Sequence, residues 1–298
     1  MKIILTGHSG FSGSHFRRIF PSIPLEDESG QPTDILDRGA LTADICRLAP
    51  EAVVHLAART FVPESFEDPH ATFDVNVTGT LNLLSALKDC GFEGRMIFVG
   101  SAEVYGLVSP EELPVREEQP LRPRNPYAAS KAAAEALAYQ WSQTGGFEVV
   151  LARPFNHTGP GQSDQFVLSN FARQIAEIRL GRRKPVIEVG DIDVTRDFTD
   201  VRDVVRAYVL LLNKGKNGEV YNICSGQEHA IRSLLQELLA IVGLEVEIVT
   251  DGARLRPTEQ RRMAGDYQKL RADTGWRPEI PQRQTLTDML EDWETRLK

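Results

Sequence analysis

The most reactive combination of side chains in this 298-residue chain is a tyrosine and a lysine four positions apart, Tyr127 and Lys131. Residues at i and i+4 share one face of a helix, and Asn125 followed by Pro126 is a typical helix start. A phenol titrates near ~10 in water, and a neighbouring ammonium favours the phenolate. We therefore expect Lys131 to lower the pKa of Tyr127 and to make its hydroxyl a usable proton donor or acceptor.

A serine stands at the end of the apolar segment that precedes this helix. Ser101 follows residues 96–99, which read as a buried strand. A hydroxyl at that position can hydrogen-bond a substrate carbonyl or alkoxide and share the charge that develops on the oxygen. Ser101, Tyr127 and Lys131 together predict a hydride-transfer site. The tyrosine–lysine spacing alone also arises by chance in many helices, so the prediction depends on the rest of the chain.

Three glycines, Gly7, Gly10 and Gly13, follow the first apolar strand and precede a helix. Such glycines let the backbone approach a diphosphate closely and present the N–H groups of the helix start to it. The spacing is G-x-x-G-x-x-G, which differs from the commonest dinucleotide fingerprint, and glycines also serve as plain turn residues. Their position directly after a strand favours a dinucleotide site.

Two later segments fit the same ligand. The apolar strand at 52–55 is followed by small residues, which leave room for a diphosphate and a ribose, and the helix from 69 to 90 carries Asn76, either a cofactor contact or a surface residue. No metal site is predicted. The predicted cofactor-binding residues are Gly7, Ser9, Gly10, Phe11, Gly13, Asp34, Ile35, Leu56, Ala57, Ala58, Asn76, Tyr127 and Lys131.

The residues that follow the second strand bear on the choice of cofactor. Residues 26–28 are all acidic, and an acidic residue there usually binds the adenosine ribose hydroxyls and favours NAD. Against this, Arg17 and Arg18 are placed to reach a 2′-phosphate. NADP, with NADPH as the hydride donor, is the predicted cofactor, and NAD stays open as the alternative.

Composition excludes several classes of partner. The net charge is −8 and the basic residues form no cluster beyond short Arg-Arg pairs, which argues against a nucleic-acid surface. The chain starts directly with a strand and contains no apolar run of membrane-spanning length, so we expect a cytoplasmic protein without membrane contact. Three widely spaced cysteines in apolar contexts, Cys46, Cys90 and Cys224, predict reduced core thiols.

Alternating strand and helix patterns through residue 154 predict a Rossmann-type doubly wound parallel sheet. Beyond that point the alternation becomes less regular, which indicates a smaller, interleaved C-terminal substrate-binding region. The expected division is 1–154, with 200–224 returning to it, against 155–199 and 225–298. The Pro- and Glu-rich loop at 107–126 is expected to be a mobile active-site flap.

The motifs together resemble the extended short-chain dehydrogenases/reductases of the nucleotide-sugar branch. They span nearly the whole chain in the family's order: 7–13, 55–58, Asn76 with Gly79 and Thr80, 101–106, Tyr127 with Lys131, 153–156 and 196–198. Within that branch, residues 153–162, 189–198 and 259–262 are most similar to the reductases that convert GDP-4-dehydro-6-deoxy-D-mannose to GDP-D-rhamnose. The resemblance implies a GDP-sugar substrate and reduction of its 4-keto group.

The resemblance also implies roles for individual residues. Tyr127 would donate a proton to the 4-keto oxygen, with Ser101 as its hydrogen-bonding partner and Lys131 on the nicotinamide ribose. Asn156 and Arg196 match positions that meet the nucleoside diphosphate, and Arg256 with Glu259 match a pair that contacts diphosphate and guanine. The implied substrate-binding residues are Ser101, Glu103, Asn156, Arg196, Arg256 and Glu259.

Glu103 supports an alternative reaction. It lies two residues before Tyr105, where the similar GDP-mannose 4,6-dehydratases carry the carboxylate that removes the C5 proton. A dehydratase or epimerase is therefore the second hypothesis, although the chain is shorter than most such dehydratases and Asn170 lies about where they carry a lysine. A non-catalytic dinucleotide sensor is the third, and it has no need for the tyrosine–lysine pair.

Two helices also predict self-association. The helix that carries Tyr127 is rich in alanine, and the helix from 69 to 90 has small and apolar residues on its surface. Similar enzymes use such helices as the core of a dimer. The sequence therefore predicts a homodimer.

Overall fold

A computed structural model of the chain describes residues 1–252 and 260–298. Within these residues, a 6-stranded parallel sheet forms the centre. Its strands are β1 (Ile3–Thr6), β2 (Ile23–Pro24), β3 (Ala52–His55), β4 (Arg95–Val99), β5 (Glu148–Pro154) and β10 (Val220–Ile223), in the order β10–β5–β4–β3–β1–β2. The chain reverses its direction across the sheet between β1 and β3, which is where open α/β sheets bind ligands.

Helices cover both faces of the sheet because successive strand residues point to opposite sides. Leu5, Val54 and Ile97 pack on α1 (Phe11–Ile19) and α8 (Val201–Lys214). Their neighbours Ile4 and Val53 pack on the opposite layer. That layer contains α2 (Arg38–Leu48), α5 (Gly79–Asp89) and α6 (Pro126–Thr144). The predicted doubly wound Rossmann-type sheet is confirmed.

The helix predicted from 69 to 90 is interrupted. After α3 (Val62–Glu67), the chain forms α4 (Pro69–Phe73), a π-helical turn (Asp74–Thr78) and then α5. A π turn adds one residue to the helical repeat and is often found at functional sites. Here it carries Asn76 inward, where this residue is fully buried.

A second apolar cluster lies in the C-terminal part of the chain. It is formed mainly by α7 (Val167–Arg179), α9 (Ile231–Val242) and α11 (Gln282–Arg296), with β7 (Val186–Val189). Three two-stranded pairings surround it. They join β6 (Asn156–Thr158) to β9 (Phe198–Asp200), β7 to β12 (Glu247–Thr250), and β8 (Thr195–Arg196) to β11 (His229–Ala230).

The two regions are interleaved along the chain. The segment of α8 and β10 returns to the central sheet, with Tyr221 paired to Ala152. Leu270 in α10 (Gln268–Thr274) and Trp276 also pack against the sheet cluster, although the expected division assigns 225–298 to the substrate region. The division into two domains stays a prediction.

The cysteine prediction is wrong for one pair. Cys46 in α2 and Cys90 after α5 form a disulfide, with Cα atoms 5.1 Å apart, because α2 and α5 pack side by side on one face of the sheet. A separation of 44 residues in sequence hides this neighbourhood. Cys224 is a free buried thiol, as expected. None of the described helices is both long and apolar enough to cross a membrane.

The loop at 107–126 is anchored at its centre, whereas the sequence predicts a mobile flap. The backbone N–H of Val115 donates to Ala264 O at 2.8 Å, and Val115 O accepts from Asp266 N at 2.8 Å. The Glu117 carboxylate accepts from Asn222 N at 2.8 Å. Proline and glutamate content therefore indicates an irregular segment here, but the anchoring contacts come from distant residues that the local sequence cannot reveal.

A buried ion pair fixes α6 on the sheet. Arg153 at the end of β5 donates two hydrogen bonds to Glu135 of α6, at 2.6 and 2.9 Å, and both side chains are buried. The same guanidinium donates to the Tyr105 hydroxyl at 2.8 Å and to Glu117 O at 3.0 Å. The fork of arginine suits such simultaneous contacts.

Removing one partner of this pair should destabilise the protein strongly. Glu135→Ala leaves the Arg153 charge buried without its carboxylate, so we expect the free energy of unfolding to fall by about 3–5 kcal/mol. Glu148→Ala is the matched control, since its carboxylate pairs with Arg95 but is 48% exposed, and we expect a loss under about 1 kcal/mol. Urea denaturation measures both, and equal losses would contradict the assigned role.

Candidate active site

The catalytic helix α6 begins as the sequence predicts. Asn125 Oδ1 accepts a hydrogen bond from Ala128 N at 2.7 Å, which caps the helix, and Pro126 occupies its first turn. Tyr127 and Lys131 are both buried. The backbone N–H of Tyr127, which has no partner inside the helix, donates to Ser65 Oγ at 3.2 Å. The pair is therefore held on one face of a well-anchored helix end.

The electrostatics of the pair differ from the sequence expectation. Burial raises the pKa of Tyr127 to about 12, an interaction with the Ser101 side chain opposes the shift, and Glu103 adds to it. Burial also lowers the pKa of Lys131 to about 8. The expected lowering of the Tyr127 pKa by Lys131 is wrong for this structure. Burial disfavours the phenolate, and Lys131 Nζ donates to Val99 O at 2.8 Å.

Ser101 and Glu103 lie in the turn that follows β4. Ser101 starts a 3₁₀ turn (Ala102–Tyr105), and its Oγ accepts from Glu103 N at 3.2 Å. Ser101 is buried and faces Tyr127. The Glu103 side chain is exposed, and its Oε2 accepts from Asn125 Nδ2 at 3.2 Å. Asn125 thus caps α6 and holds Glu103 near the site, a second role that the helix-start pattern does not reveal.

The glycine loop leaves no room for side chains. A Cβ on Gly7, which has φ +64°, would lie 2.6 Å from Ala57 N, and a Cβ on Gly13 would lie 2.3 Å from Gly7 O. Gly10 N donates to Gly7 O at 3.1 Å, and no side chain caps the N-terminus of α1. Uncapped N–H groups behind a close-packed glycine turn fit a diphosphate. The residues present therefore fit a dinucleotide.

The segment after β3 is held by a buried chain of polar side chains. Thr6 Oγ1 accepts from Leu56 N and from Ala57 N, each at 3.1 Å. His55 Nδ1 lies 2.7 Å from Thr6 Oγ1, and its Nε2 lies 2.9 Å from Thr80 Oγ1. Burial lowers the pKa of His55 to about 3, and the charge of Lys131 acts in the same direction. Sequence reasoning missed Thr6, although a polar residue at the end of a buried strand signals such a role.

Asn76 is a positioning residue in this structure. Its amide exchanges hydrogen bonds with the backbone of Arg59, at 2.8 and 3.0 Å, and donates to Ser130 Oγ at 2.9 Å. Ser130 in turn donates to Tyr127 O. The amide therefore ties the segment after β3 to the catalytic helix, and a direct contact of Asn76 with the cofactor stays a prediction.

The remaining predicted cofactor residues surround the same edge of the sheet. Ser9 is exposed and Phe11 is half-buried in the glycine loop. Asp34 is exposed, while Ile35 is buried against Gly79. Ala58 is half-buried after β3. The contacts of these residues with a cofactor stay predictions.

The acidic stretch after β2 contains one residue that reaches the glycine loop. Glu26 Oε1 lies 3.1 Å from His8 Nε2, and His8 is buried directly after Gly7. Arg17 and Arg18, the competing basic residues, are exposed in the last turn of α1. The sequence pattern did not identify His8, because its partner becomes evident only when β1 and β2 are paired.

Two of the predicted substrate residues, Asn156 and Arg196, lie in β6 and β8. Asn156 is exposed and is paired with Phe198 across the β6–β9 ladder. Arg196 is half-buried, and its Nη1 donates to Thr195 O and to Gln260 O. Arg256 and Glu259 lie outside the described residues. The buried carboxylate of Asp197 accepts from the backbone of Ser225, Gly226 and Gly265, which joins these segments beside Arg196.

The candidate site residues discussed above thus form one connected region at the carboxyl edge of the central sheet. The phenol of Tyr127, the hydroxyl of Ser101 and the buried amino group of Lys131 lie beside the end of β4. The glycine loop meets the segment after β3 next to them. Among the described residues, no group of His, Cys, Asp or Glu is arranged to bind a metal ion. Such a region can bind a dinucleotide and transfer a proton to a carbonyl oxygen.

Known proteins are similar to this chain in sequence. The family model for GDP-mannose 4,6 dehydratase matches residues 30–289. The chain is 47% identical to GDP-6-deoxy-D-mannose reductase of Pseudomonas aeruginosa, over 100% of this chain and 98% of that protein. It is 32% identical to GDP-mannose 4,6 dehydratase 1 of Arabidopsis thaliana, over 83% of this chain and 69% of that protein.

Solved structures agree with these relatives. The structure of RMD from Pseudomonas aeruginosa complexed with NADPH has a TM-score of 0.93 and 48% sequence identity, and the alignment covers 99% of each chain. The alignment with the Pseudomonas aeruginosa reductase covers 100% of this chain, and so includes the glycine loop, the serine turn and the tyrosine–lysine helix. The chain therefore belongs to the GDP-mannose 4,6-dehydratase family, in the nucleotide-sugar branch of the extended short-chain dehydrogenases/reductases.

Proposed function

We propose that this protein is an oxidoreductase that reduces the 4-keto group of GDP-4-dehydro-6-deoxy-D-mannose to GDP-D-rhamnose, with NADPH as the hydride donor. One observation carries the proposal. The buried Ser101, Tyr127 and Lys131 arrangement occurs in a chain that is similar over its full length to a GDP-6-deoxy-D-mannose reductase. The similar RMD structure is described as an NADPH complex, which favours NADP, while other relatives are described with NAD.

The site residues supply the proton that this reduction requires. The cofactor, when bound, supplies hydride to C4 of the sugar. Tyr127 donates its proton to the 4-oxygen, and its raised pKa keeps the phenol protonated at neutral pH, the form that a donor needs. Ser101 donates a hydrogen bond to the same oxygen. The ammonium of Lys131 stabilises the phenolate that is left.

Two groups of residues support a nucleoside diphosphate as the recognised part of the substrate. Arg196 lies two residues before Phe198, which pairs with the exposed Asn156, and arginine binds phosphate by charge and fork geometry. Arg256 and Glu259 are assigned to diphosphate and guanine from the family resemblance. A carboxylate at Glu259 would accept the N1–H and N2–H of guanine.

A dehydratase is the second candidate, favoured by the position of Glu103. Its carboxylate is exposed beside the buried Ser101 and is held by Asn125. The carboxylate could act as a base toward C5 of a bound sugar. Reduction needs no base at C5, so a reductase uses Glu103 only for contacts with the sugar.

The exposed faces of α4, α5 and α6 support a homodimer. Phe73 is 38% exposed, Leu81 is 39% exposed and Tyr139 is 51% exposed. Large apolar side chains on adjoining helices mark an association surface. We infer that these helices form the dimer contact, and a cytoplasmic location stays part of the proposal.

The first prediction from the proposed function concerns the proton donor. Tyr127→Phe removes only the hydroxyl, and we expect the turnover number to fall by about 10²–10⁴-fold, the usual contribution of general acid catalysis. The affinity for NADPH, measured by fluorescence, should stay within about threefold, because the glycine loop is untouched. A loss of turnover below tenfold would refute the assignment.

The second prediction concerns pH. The pKa of Lys131 is lowered from 10.5 to about 8 by burial, so its ammonium is present below that pH and is lost as the pH rises through it. Tyr127, with a pKa of about 12, stays protonated over the same range. We expect kcat/KM to be level through neutral pH and to fall about tenfold per pH unit above the pKa of Lys131.

Lys131→Met is the matched variant for this pH profile. It should be slow at every pH and should lack the alkaline fall, because no ammonium is left to titrate. A wild-type plateau that continues to pH values well above the Lys131 pKa, or an unchanged fall in Lys131→Met, would contradict the role given to the lysine.

The third prediction separates the two enzyme hypotheses. Glu103→Gln keeps the size and hydrogen-bonding capacity of the side chain but removes its basicity. A reductase should retain turnover of the 4-keto sugar within about tenfold, a change of up to ~1.4 kcal/mol in the barrier. Steady dehydration of GDP-mannose by the wild type, abolished in Glu103→Gln, would establish the dehydratase instead.

A further inference from the structure

The first turns of α1 are joined to the segment after β5 by side chains at several places. Ser12 Oγ lies 3.2 Å from His157 Nε2, and His15 Nε2 lies 2.8 Å from Pro160 O. The rings of Phe11 and His157 are nearly parallel, with an interplanar angle of 9° and centroids 6.0 Å apart. We call these five residues the α1–β6 bridge, since they connect the glycine loop side of α1 with β6 and the turn beyond it.

The donor and the acceptor of each hydrogen bond in the bridge follow from the carbonyl groups that the two histidines contact. His157 Nδ1 lies 3.1 Å from Phe155 O, and a carbonyl only accepts, so Nδ1 carries the proton and Nε2 accepts the hydroxyl of Ser12. His15 Nε2 donates to Pro160 O for the same reason. Burial is the largest effect on both rings and lowers the pKa of His15 and of His157. Both imidazole rings are therefore uncharged at neutral pH, and each of these hydrogen bonds has one defined donor and one defined acceptor.

The two ends of the bridge face different ligands. On one side, Ser12 belongs to the first turn of α1, whose uncapped N–H groups fit the cofactor diphosphate. On the other side, His157 follows Asn156, which is paired with Phe198 two residues beyond Arg196. The segment packs closely on α8, because a Cβ at Gly159 would lie 2.8 Å from Val201 Cγ1. The bridge therefore links the two binding regions through direct side-chain contacts.

We propose that the α1–β6 bridge couples the two binding sites, so that a bound dinucleotide fixes Asn156 through Ser12 and His157 and each ligand raises the affinity for the other. The inference rests on the proposed function, which assigns Asn156 and Arg196 to the nucleoside diphosphate. Binding coupling is reciprocal, and its usual size is about 5–150-fold in affinity. His157 is on this account a positioning residue, since it acts through Asn156.

The test measures affinities rather than turnover. The dissociation constant of NADPH is measured by its fluorescence with and without saturating GDP, and that of GDP by calorimetry with and without NADPH. For the wild type we expect each ligand to tighten the other at least about fivefold, by the same factor in both directions. A bridge that served stability alone would lower the melting temperature on mutation without changing this factor.

Two variants and one control isolate the bridge. Ser12→Ala removes the hydroxyl, and His157→Phe keeps a ring for stacking on Phe11 but removes both nitrogens. In each we expect the coupling factor to fall below about twofold, with each ligand alone still bound. Ser14→Ala is the control, because this hydroxyl lies in the same helix but donates to Ser9 O, and its coupling factor should equal that of the wild type.

The outcomes separate the coupling from the function on which it rests. The coupling role of the bridge is overturned, and the proposed function is not, by either of two results. One is that GDP binds to the wild type but does not change its affinity for NADPH. The other is that both Ser12→Ala and His157→Phe keep the coupling factor of the wild type. Absence of GDP binding to the wild type overturns the proposed function and the bridge with it. Ser12→Ala is a small change at a half-buried position, so the test holds even if His157→Phe folds poorly.

Discussion

The buried ion pair between Arg153 and Glu135 is the interaction on which the site geometry depends most. It fastens the catalytic helix to β5, and through the Tyr105 hydroxyl it also holds the turn that starts at Ser101. Tyr105 donates in turn to Asn222 of β10. A single guanidinium thus fixes the relative positions of the serine turn, the tyrosine helix and the last strand of the sheet. A buried charge that is fully hydrogen-bonded tolerates little displacement.

Burial also favours the role of proton donor that we propose for Tyr127. The phenol of Tyr127 and the ammonium of Lys131 both lie away from water, so the neutral form of each is favoured. In a reduction the donor must hold its proton until hydride arrives, and a raised phenol pKa meets that need. Burial lowers the pKa of Lys131 to about 8, so most of its amine is still protonated at neutral pH. The sequence reveals the charge of Lys131 but not the burial of Tyr127, so the pKa shift expected from the sequence has the opposite sign.

The fold and the grouping of Ser101, Tyr127 and Lys131 could be predicted because their signals are local. Continuous apolar strands, a glycine turn after β1 and an i, i+4 pair behind an Asn-Pro helix start each depend on neighbours in sequence. The disulfide between Cys46 and Cys90, the anchoring of Val115 to Ala264 and the link from Ser12 to His157 join residues far apart in the chain. Only the packing of α2 on α5, or of α1 on β6, brings those groups together. The buried position of Asn76 could not be predicted either, because it depends on a π turn that no residue pattern in the sequence indicates.

In the reaction that we propose, a 4-keto sugar receives hydride from NADPH and a proton from Tyr127. The most direct measurement mixes the purified protein with NADPH and GDP-4-dehydro-6-deoxy-D-mannose, follows loss of the cofactor's absorbance, and identifies the sugar product by mass and NMR. We expect one NADPH to be oxidised for each GDP-D-rhamnose formed, and no more than trace conversion of GDP-mannose supplied alone. Steady loss of water from GDP-mannose without net oxidation of NADPH would contradict it.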